Sequence, residues 1–285
     1  MTISQIFSDA KVRLNKPKKI LKSFSEYRER RAFVSRLNDS QQDSSARMKE
    51  NGYLFFQPDA AELEELLLAC KNRYENVETI NSSMAKAFVK QLVTPDQYDA
   101  KDILIRFALN EDILNRIAHY LGAVPFLEWV EVINSNPVDA PLVKSQLWHK
   151  DGTDNKMVKV FVNIFDVTEE HGPLSFYSRQ DSKRVPIHKN IMSHYLSDEE
   201  ISEWLDLSSK MQFTGPSGSA VMLDTANCYH MGSRCQKPRL VYCAYYSTGF
   251  GYYARHYPLK NVNWKTLPNL DKGALSDMQL LALGL

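Results

Sequence analysis

From Phe126 onward the chain reads as a succession of strands, and the clearest of them is Lys156–Val167. There Val158, Val160, Val162 and Ile164 alternate with Phe161, Asn163 and Phe165. A pleated strand sends successive side chains to opposite faces, so this run predicts one wholly apolar row and a second row that carries a buried amide. Before residue 125 the period is helical. Residues 59–76 place Leu63, Leu66, Leu67 and Cys70 on one helix face; 111–121 do the same with Ile113, Leu114, Ile117, Ala118 and Leu121, and Gly122 ends the helix. Ser197-Asp198-Glu199-Glu200 is a capping box that starts a shorter helix running to about Leu207. Strands after residue 125, with helices mainly before it, predict a mainly β fold with peripheral α-helices.

The chemistry lies at strand ends. Pro141–Trp148 reads as a strand that ends at His149, with Asp151-Gly152 as the turn after it. Gly218–Asp224 is a short apolar strand, and a loop leads from it to His230. Arg239 opens the strand Arg239–Tyr246. Two imidazoles and one carboxylate can occupy one face of an iron ion and leave the opposite positions open. His149, Asp151 and His230 are therefore candidate catalytic and metal-binding residues. One His-x-Asp is a weak signal, since chance supplies about 0.4 per chain of this composition. The convergence of four such residues at strand ends, as at the mouth of a barrel, raises its weight. Arg239 can hold a dicarboxylate through a two-pronged, charge-assisted contact. Asn163, if its row faces inward, and Gln146, on the Lys144 face of its strand, are further candidates for binding a co-substrate. Trp148 and Tyr229, beside the two histidines, read as packing. Cys228 and Cys235 flank His230 without the close Cys pairs that structural zinc sites use.

These residues resemble the phytanoyl-CoA dioxygenase family of Fe(II)/2-oxoglutarate oxygenases over roughly residues 50–250. Asn51-Gly52-Tyr53-Leu54-Phe55-Phe56 is similar to the family's early Gly-Tyr strand, His171-Gly172-Pro173-Leu174-Ser175-Phe176 to its Asn-Gly-Pro-Leu segment, and Gly218–Leu223 to the strand before its distal histidine. The resemblance implies a double-stranded β-helix, the jelly-roll or cupin-like core. It implies that His149, Asp151 and His230 bind Fe(II), and that Arg239 holds the far carboxylate of 2-oxoglutarate. O2 is then the second co-substrate, and a small or medium organic substrate is hydroxylated with release of succinate and CO2. The family's Pro-Gly-Ser-His is replaced here by Tyr177-Ser178-Arg179-Gln180-Asp181. Some members carry a Ser two residues after the distal histidine; this chain has Gly232 there and Ser233 next. Asp151 disfavours halogenation, which in related enzymes needs a small residue at that position. The competing reading is a jelly-roll module that binds a metal or sugar without turnover, which has no need of a buried anchor such as Arg239.

Charge narrows the partners. A net charge of +1 gives no general attraction to nucleic acid. Residues 1–36, however, hold ten basic against three acidic side chains, +7 locally. Phe24, Tyr27, Val34 and Leu37 lie near helical spacing, so a basic helix over 23–37 is expected, either packed on the core or docked on an acidic surface. The polar run Asn38–Ser45 reads as a loop. The organisation expected is a basic, partly helical extension over 1–45 and an oxygenase domain over 46–285. Four cysteines without disulfide spacing, no apolar run of eighteen residues and no signal-peptide core point to a cytoplasmic protein.

Overall fold

The computed structural model describes residues 16–37, 42–76, 88–152, 154–186, 195–249 and 262–285. Among the described residues nine strands form in chain order: β1 (Tyr53–Phe56), β2 (Val89–Gln91), β3 (Phe126–Ser135), β4 (Met157–Asn163), β5 (Ser175–Phe176), β6 (Met211–Gln212), β7 (Ala220–Asp224), β8 (His230–Met231) and β9 (Arg239–Ser247). They make a six-stranded sheet in the order β1-β7-β4-β9-β3-β2 and a three-stranded sheet in the order β6-β5-β8, with every pairing antiparallel. The long pairings β3–β9 and β4–β9 put β9 at the centre of the large sheet.

Alternation along these strands separates two cores. The outer row (Val158, Val160 and Val162 of β4; Leu240, Tyr242, Ala244 and Tyr246 of β9) packs against helices through Leu66, Leu104, Leu114 and Ile117. Each such side chain contributes roughly 1.5–3 kcal/mol on full burial. The inner row of β7, Val221 and Leu223, meets Phe176 and Phe213 from the small sheet. That contact holds the two sheets face to face as a sandwich. Helix ends follow their caps. The Asn110 side chain accepts from the N–H groups of Asp112 and Ile113 at the start of Glu111–Leu121, and Gly122, at φ 75°, closes it.

Several local expectations are corrected. Pro141–Trp148 is not a strand: Lys144–Gln146 is a 3-10 turn with Lys144 at φ 50°, and only Trp148 and His149 make isolated β-bridges. The reason is local, since the Gln146 side chain accepts from Val143 N at 3.2 Å and closes the turn. β4 ends at Asn163, so Phe165 leaves the inner row and packs outside against Tyr74. The capping box at Ser197 is present, but its helix is only Asp198–Ser202. Residues 42–45, read as loop, begin the helix Gln42–Asn51, which runs across position 45; 38–41 lie outside the described residues.

The basic helix spans Lys16–Val34, longer at its start than expected. Arg30, near its end, is buried and donates to Val124 O and Pro125 O, each at 3.0 Å, and to Leu281 O. Its guanidinium lies 3.2 Å from the Phe126 ring centroid. Phe33, Val34 and Leu37 also pack on the large core. Arg30→Ala leaves those carbonyls without their donor, and a loss of roughly 2–4 kcal/mol is expected in urea unfolding; a change within 0.5 kcal/mol would contradict this docking.

Candidate metal centre

His149 and His230 meet directly at the β8 edge of the small sheet. They form a two-residue β-bridge in which His149 N donates to His230 O at 3.0 Å and His230 N to His149 O at 2.9 Å. Their ring centroids are 4.2 Å apart. Each ring is oriented in the same way: Nδ1 of His149 lies 2.9 Å from Leu147 O, and Nδ1 of His230 lies 3.0 Å from Cys228 O. A carbonyl can only accept, so Nδ1 carries the proton and Nε2 presents its lone pair, which is the tautomer a metal ligand needs. Burial and the neighbouring His149 push the His230 imidazole down to about 3, so it is neutral at pH 7.

Asp151 completes the group. Its N–H donates to Thr225 O at 2.9 Å, tying the loop after His149 to the turn before His230. Its Oδ2 lies 3.9 Å from His230 Nε2 and 2.8 Å from Lys159 Nζ. Burial raises the Asp151 carboxyl, but the Lys159 ammonium beside it outweighs this and holds the group well below the usual carboxylate range. One donor atom from each of His149, Asp151 and His230 lies within 4.8 Å of the others, a spacing that a single ion can bridge. The donor set, two neutral imidazoles and an ionised carboxylate, fits ferrous iron.

The turn that delivers His230 is built by Asp224. This buried carboxylate accepts from Asn227 Nδ2 at 2.8 Å, Ala226 N at 3.2 Å and the Tyr120 hydroxyl. The chain then enters β8 after Cys228, whose N donates to Asp224 O at 2.9 Å.

Arg239, at the start of β9, is buried with 9% of its surface exposed. Its Nη2 donates to Ser233 Oγ at 3.2 Å, while Nε has no partner. Among the described residues no carboxylate pairs with it. A buried, unneutralised guanidinium is costly, and burial lowers its pKa. Such a guanidinium could hold an anion. A Cβ added at Gly232 would come within 3.4 Å of Arg239 Nη2, so glycine keeps the approach to the guanidinium open. Asn163 sits on the inner row of β4, 1% exposed, with both amide atoms unpartnered. Gln146 is placed differently: its Nε2 donates to Ser233 O at 3.0 Å, so it braces the loop that presents Ser233 to Arg239.

Lys159 was not legible as a site residue, and Ser233 was singled out only as the neighbour of the position where some family members carry a Ser. A lysine within Val158-Lys159-Val160 reads as solvent-facing; its place two residues before Phe161, in the row of Asn163, was the available signal. Tyr195, whose ring centroid is 5.2 Å from that of His149, had none. Trp148 and Tyr229 pack in a buried cluster with Tyr177 and Leu196, as expected. Cys228 lies against Asn51 O and Gly52 O, away from the donor set. His171 caps a turn by accepting from Thr168 N at 3.1 Å. His188, His194, His256 and residues 250–253 lie outside the described residues.

Gly172, in the segment that precedes β5, has φ 56°, and a Cβ there would meet the Arg234 backbone at 2.5 Å. Gly172→Ala is expected to cost roughly 1–3 kcal/mol by thermal or urea unfolding, because neither backbone can yield cheaply; an unchanged midpoint would contradict the close approach.

No family model matches the chain, and no curated protein matches it in sequence. In structure it is similar to the non-haem α-ketoglutarate-dependent epimerase SnoN from nogalamycin biosynthesis, with a TM-score of 0.55 and 20% identity over 73% of this chain and 83% of that one. EctD from S. alaskensis, crystallised with 2-oxoglutarate and 5-hydroxyectoine, matches with a TM-score of 0.53 and 15% identity over 74% of this chain and 78% of its own. The carbocyclase SnoK, also non-haem and α-ketoglutarate-dependent, matches at 0.50 and 16% over 75% and 85%. The fold is that of these enzymes: a jelly-roll, or double-stranded β-helix, with helices at its periphery.

Proposed function

We propose that this chain is an Fe(II)- and 2-oxoglutarate-dependent dioxygenase, similar to the phytanoyl-CoA dioxygenase family, that hydroxylates a small or medium organic substrate with release of succinate and CO2. The observation that carries the reading is the three-donor group of His149, Asp151 and His230, each imidazole held in its Nε2-presenting form. Arg239, buried and without a carboxylate partner, favours a dicarboxylate co-substrate over a module that merely holds a metal.

In this reading His149 and His230 donate Nε2 to the metal and Asp151 donates a carboxylate oxygen. Lys159 holds that carboxylate in place and in its ionised form. Arg239 and Ser233 bind the far carboxylate of 2-oxoglutarate, and Asn163 offers its unpartnered amide to the same molecule. Burial of Asn163, His149, His230 and Arg239 strengthens these contacts. Bound iron, with 2-oxoglutarate and O2, supplies the oxidising power that turns a C–H bond into C–OH. The residues over 46–285 carry this chemistry, and within the extension over 1–45 the helix Lys16–Val34 is docked on them through Arg30. No helix among the described residues is long and apolar enough to cross a membrane. Four unpaired thiols favour a reducing, cytoplasmic setting.

The test is conversion of 2-oxoglutarate to succinate by purified protein with Fe(II) and O2, read by mass spectrometry. Succinate above the metal-free control is expected even without the true substrate, from uncoupled turnover. Metal uptake with no succinate, with or without a broad panel of candidate substrates, would favour the binding module.

A further inference from the structure

Two strained residues meet at one buried side chain beside Arg239. Among the described residues three besides glycine have a positive φ, and two of these are Lys144 at 50° and Ser233 at 62°. Residues other than glycine seldom take that conformation, so the surroundings must hold each of them in it. Gln146, 4% exposed, reaches both segments. Its Oε1 accepts from Val143 N at 3.2 Å and its N–H donates to Val143 O at 3.1 Å, which closes the turn through Lys144. Its Nε2 donates to Ser233 O at 3.0 Å, and its backbone O accepts from Arg234 Nε at 2.7 Å. A backbone N–H on one side and a carbonyl on the other decide which way the side-chain amide points.

Ser233 is the link to the guanidinium. Its N–H donates to Gly172 O at 3.1 Å, while Gln146 holds its carbonyl. With both backbone groups held, the Ser233 hydroxyl is set 2.8 Å from Ser135 Oγ and accepts from Arg239 Nη2 at 3.2 Å. No other group among the described residues accepts from the Arg239 guanidinium. Whatever fixes Ser233 therefore fixes the direction of that fork.

We propose that Gln146 is a positioning residue for the co-substrate: acting through Ser233 rather than by contact, it sets the direction in which Arg239 meets the far carboxylate of a keto-diacid. This rests on the iron and 2-oxoglutarate reading of the site. A guanidinium is planar and gains most from a two-pronged contact, so turning the fork costs affinity for a carboxylate even while the charge stays.

Calorimetry on protein loaded with Zn(II), which supports no turnover, separates the two ends of the co-substrate. 2-Oxoglutarate and 2-oxobutanoate share the keto-acid end that chelates a metal, and only the first carries the far carboxylate. The wild type is expected to bind 2-oxoglutarate at least about tenfold tighter than 2-oxobutanoate. Gln146→Met is expected to weaken 2-oxoglutarate by about tenfold and to change 2-oxobutanoate by less than about twofold. Gln146→Glu keeps an acceptor for Val143 N but sets a carboxylate oxygen against Ser233 O, and is expected to cost at least as much. Ser233→Gly takes the positive φ without strain and removes the hydroxyl. In that background Gln146→Met is expected to cost less than about a further twofold. Equal losses for both keto acids, an unchanged 2-oxoglutarate affinity, the full loss persisting in Ser233→Gly, or loss of Zn(II) uptake in Gln146→Met each overturns the proposal. Wild-type protein that takes up no Zn(II), or that shows no preference for 2-oxoglutarate, overturns the site reading instead, and this proposal with it.

Discussion

Asp151→Asn is expected to lower affinity for a divalent metal by more than about 100-fold, beyond the 10–100-fold that loss of a supporting partner costs, and to bring succinate formation to background. The amide keeps the shape of the side chain but removes the anionic oxygen that the metal requires. A second consequence separates this residue from an ordinary ligand. Lys159, with 12% of its side chain exposed, would lose its counter-ion. Removing one partner of a buried pair costs about 3–5 kcal/mol, and partial hydration of the amine puts this case toward the lower end. The double variant Asp151→Asn/Lys159→Met is therefore expected to recover most of the stability while recovering none of the metal binding. Co(II) titration followed by absorption reads the first effect, and urea unfolding of the four proteins in the cycle reads the second. Wild-type metal affinity in Asp151→Asn would remove the carboxylate from the donor set. A double variant no more stable than the single one would show that Lys159 does not depend on it.

Arg239→Met is expected to behave in the opposite way. A buried guanidinium bound by one hydroxyl at 3.2 Å burdens the ligand-free fold, so removing it leaves the unfolding midpoint unchanged or higher. The loss falls on the co-substrate. Truncating one side of a buried, charge-assisted contact costs roughly 2–5 kcal/mol, which corresponds to an increase on the order of 100-fold in the 2-oxoglutarate concentration needed. In the wild type, 2-oxoglutarate at about 100 times its Kd adds about 2.7 kcal/mol of stability; in Arg239→Met at the same concentration that gain is expected to vanish. Arg239→Lys keeps the charge but not the planar fork, and is expected to restore only part of the affinity. Retained 2-oxoglutarate binding in Arg239→Met would assign the anchor to another residue and leave Arg239's burial unexplained.

Some of this was readable from the chain alone, because it depends on near neighbours. Alternation put Val158, Val160 and Val162 on one face of β4 and Asn163 on the other, and both rows lie where that period requires. Gly122 ended its helix, as read, through a left-handed backbone angle. Residue types, together with the family resemblance, picked out His149, Asp151, His230 and Arg239, and the first three lie together although the strand read before His149 did not form. The same local logic failed at Pro141–Trp148, where a side chain closing its own turn competed with strand pairing.

What only the tertiary structure decided is which groups face one another. A strand's period says that Lys159 shares a row with Asn163, but not that Asp151, from a loop eight residues earlier, folds back within 2.8 Å of it. Nor does it say that Gln146 braces Ser233, or that Ser233 meets Arg239. Such pairings depend on how two sheets are stacked and where their loops return, and the free energy of those long-range contacts has no signature in any short window of sequence.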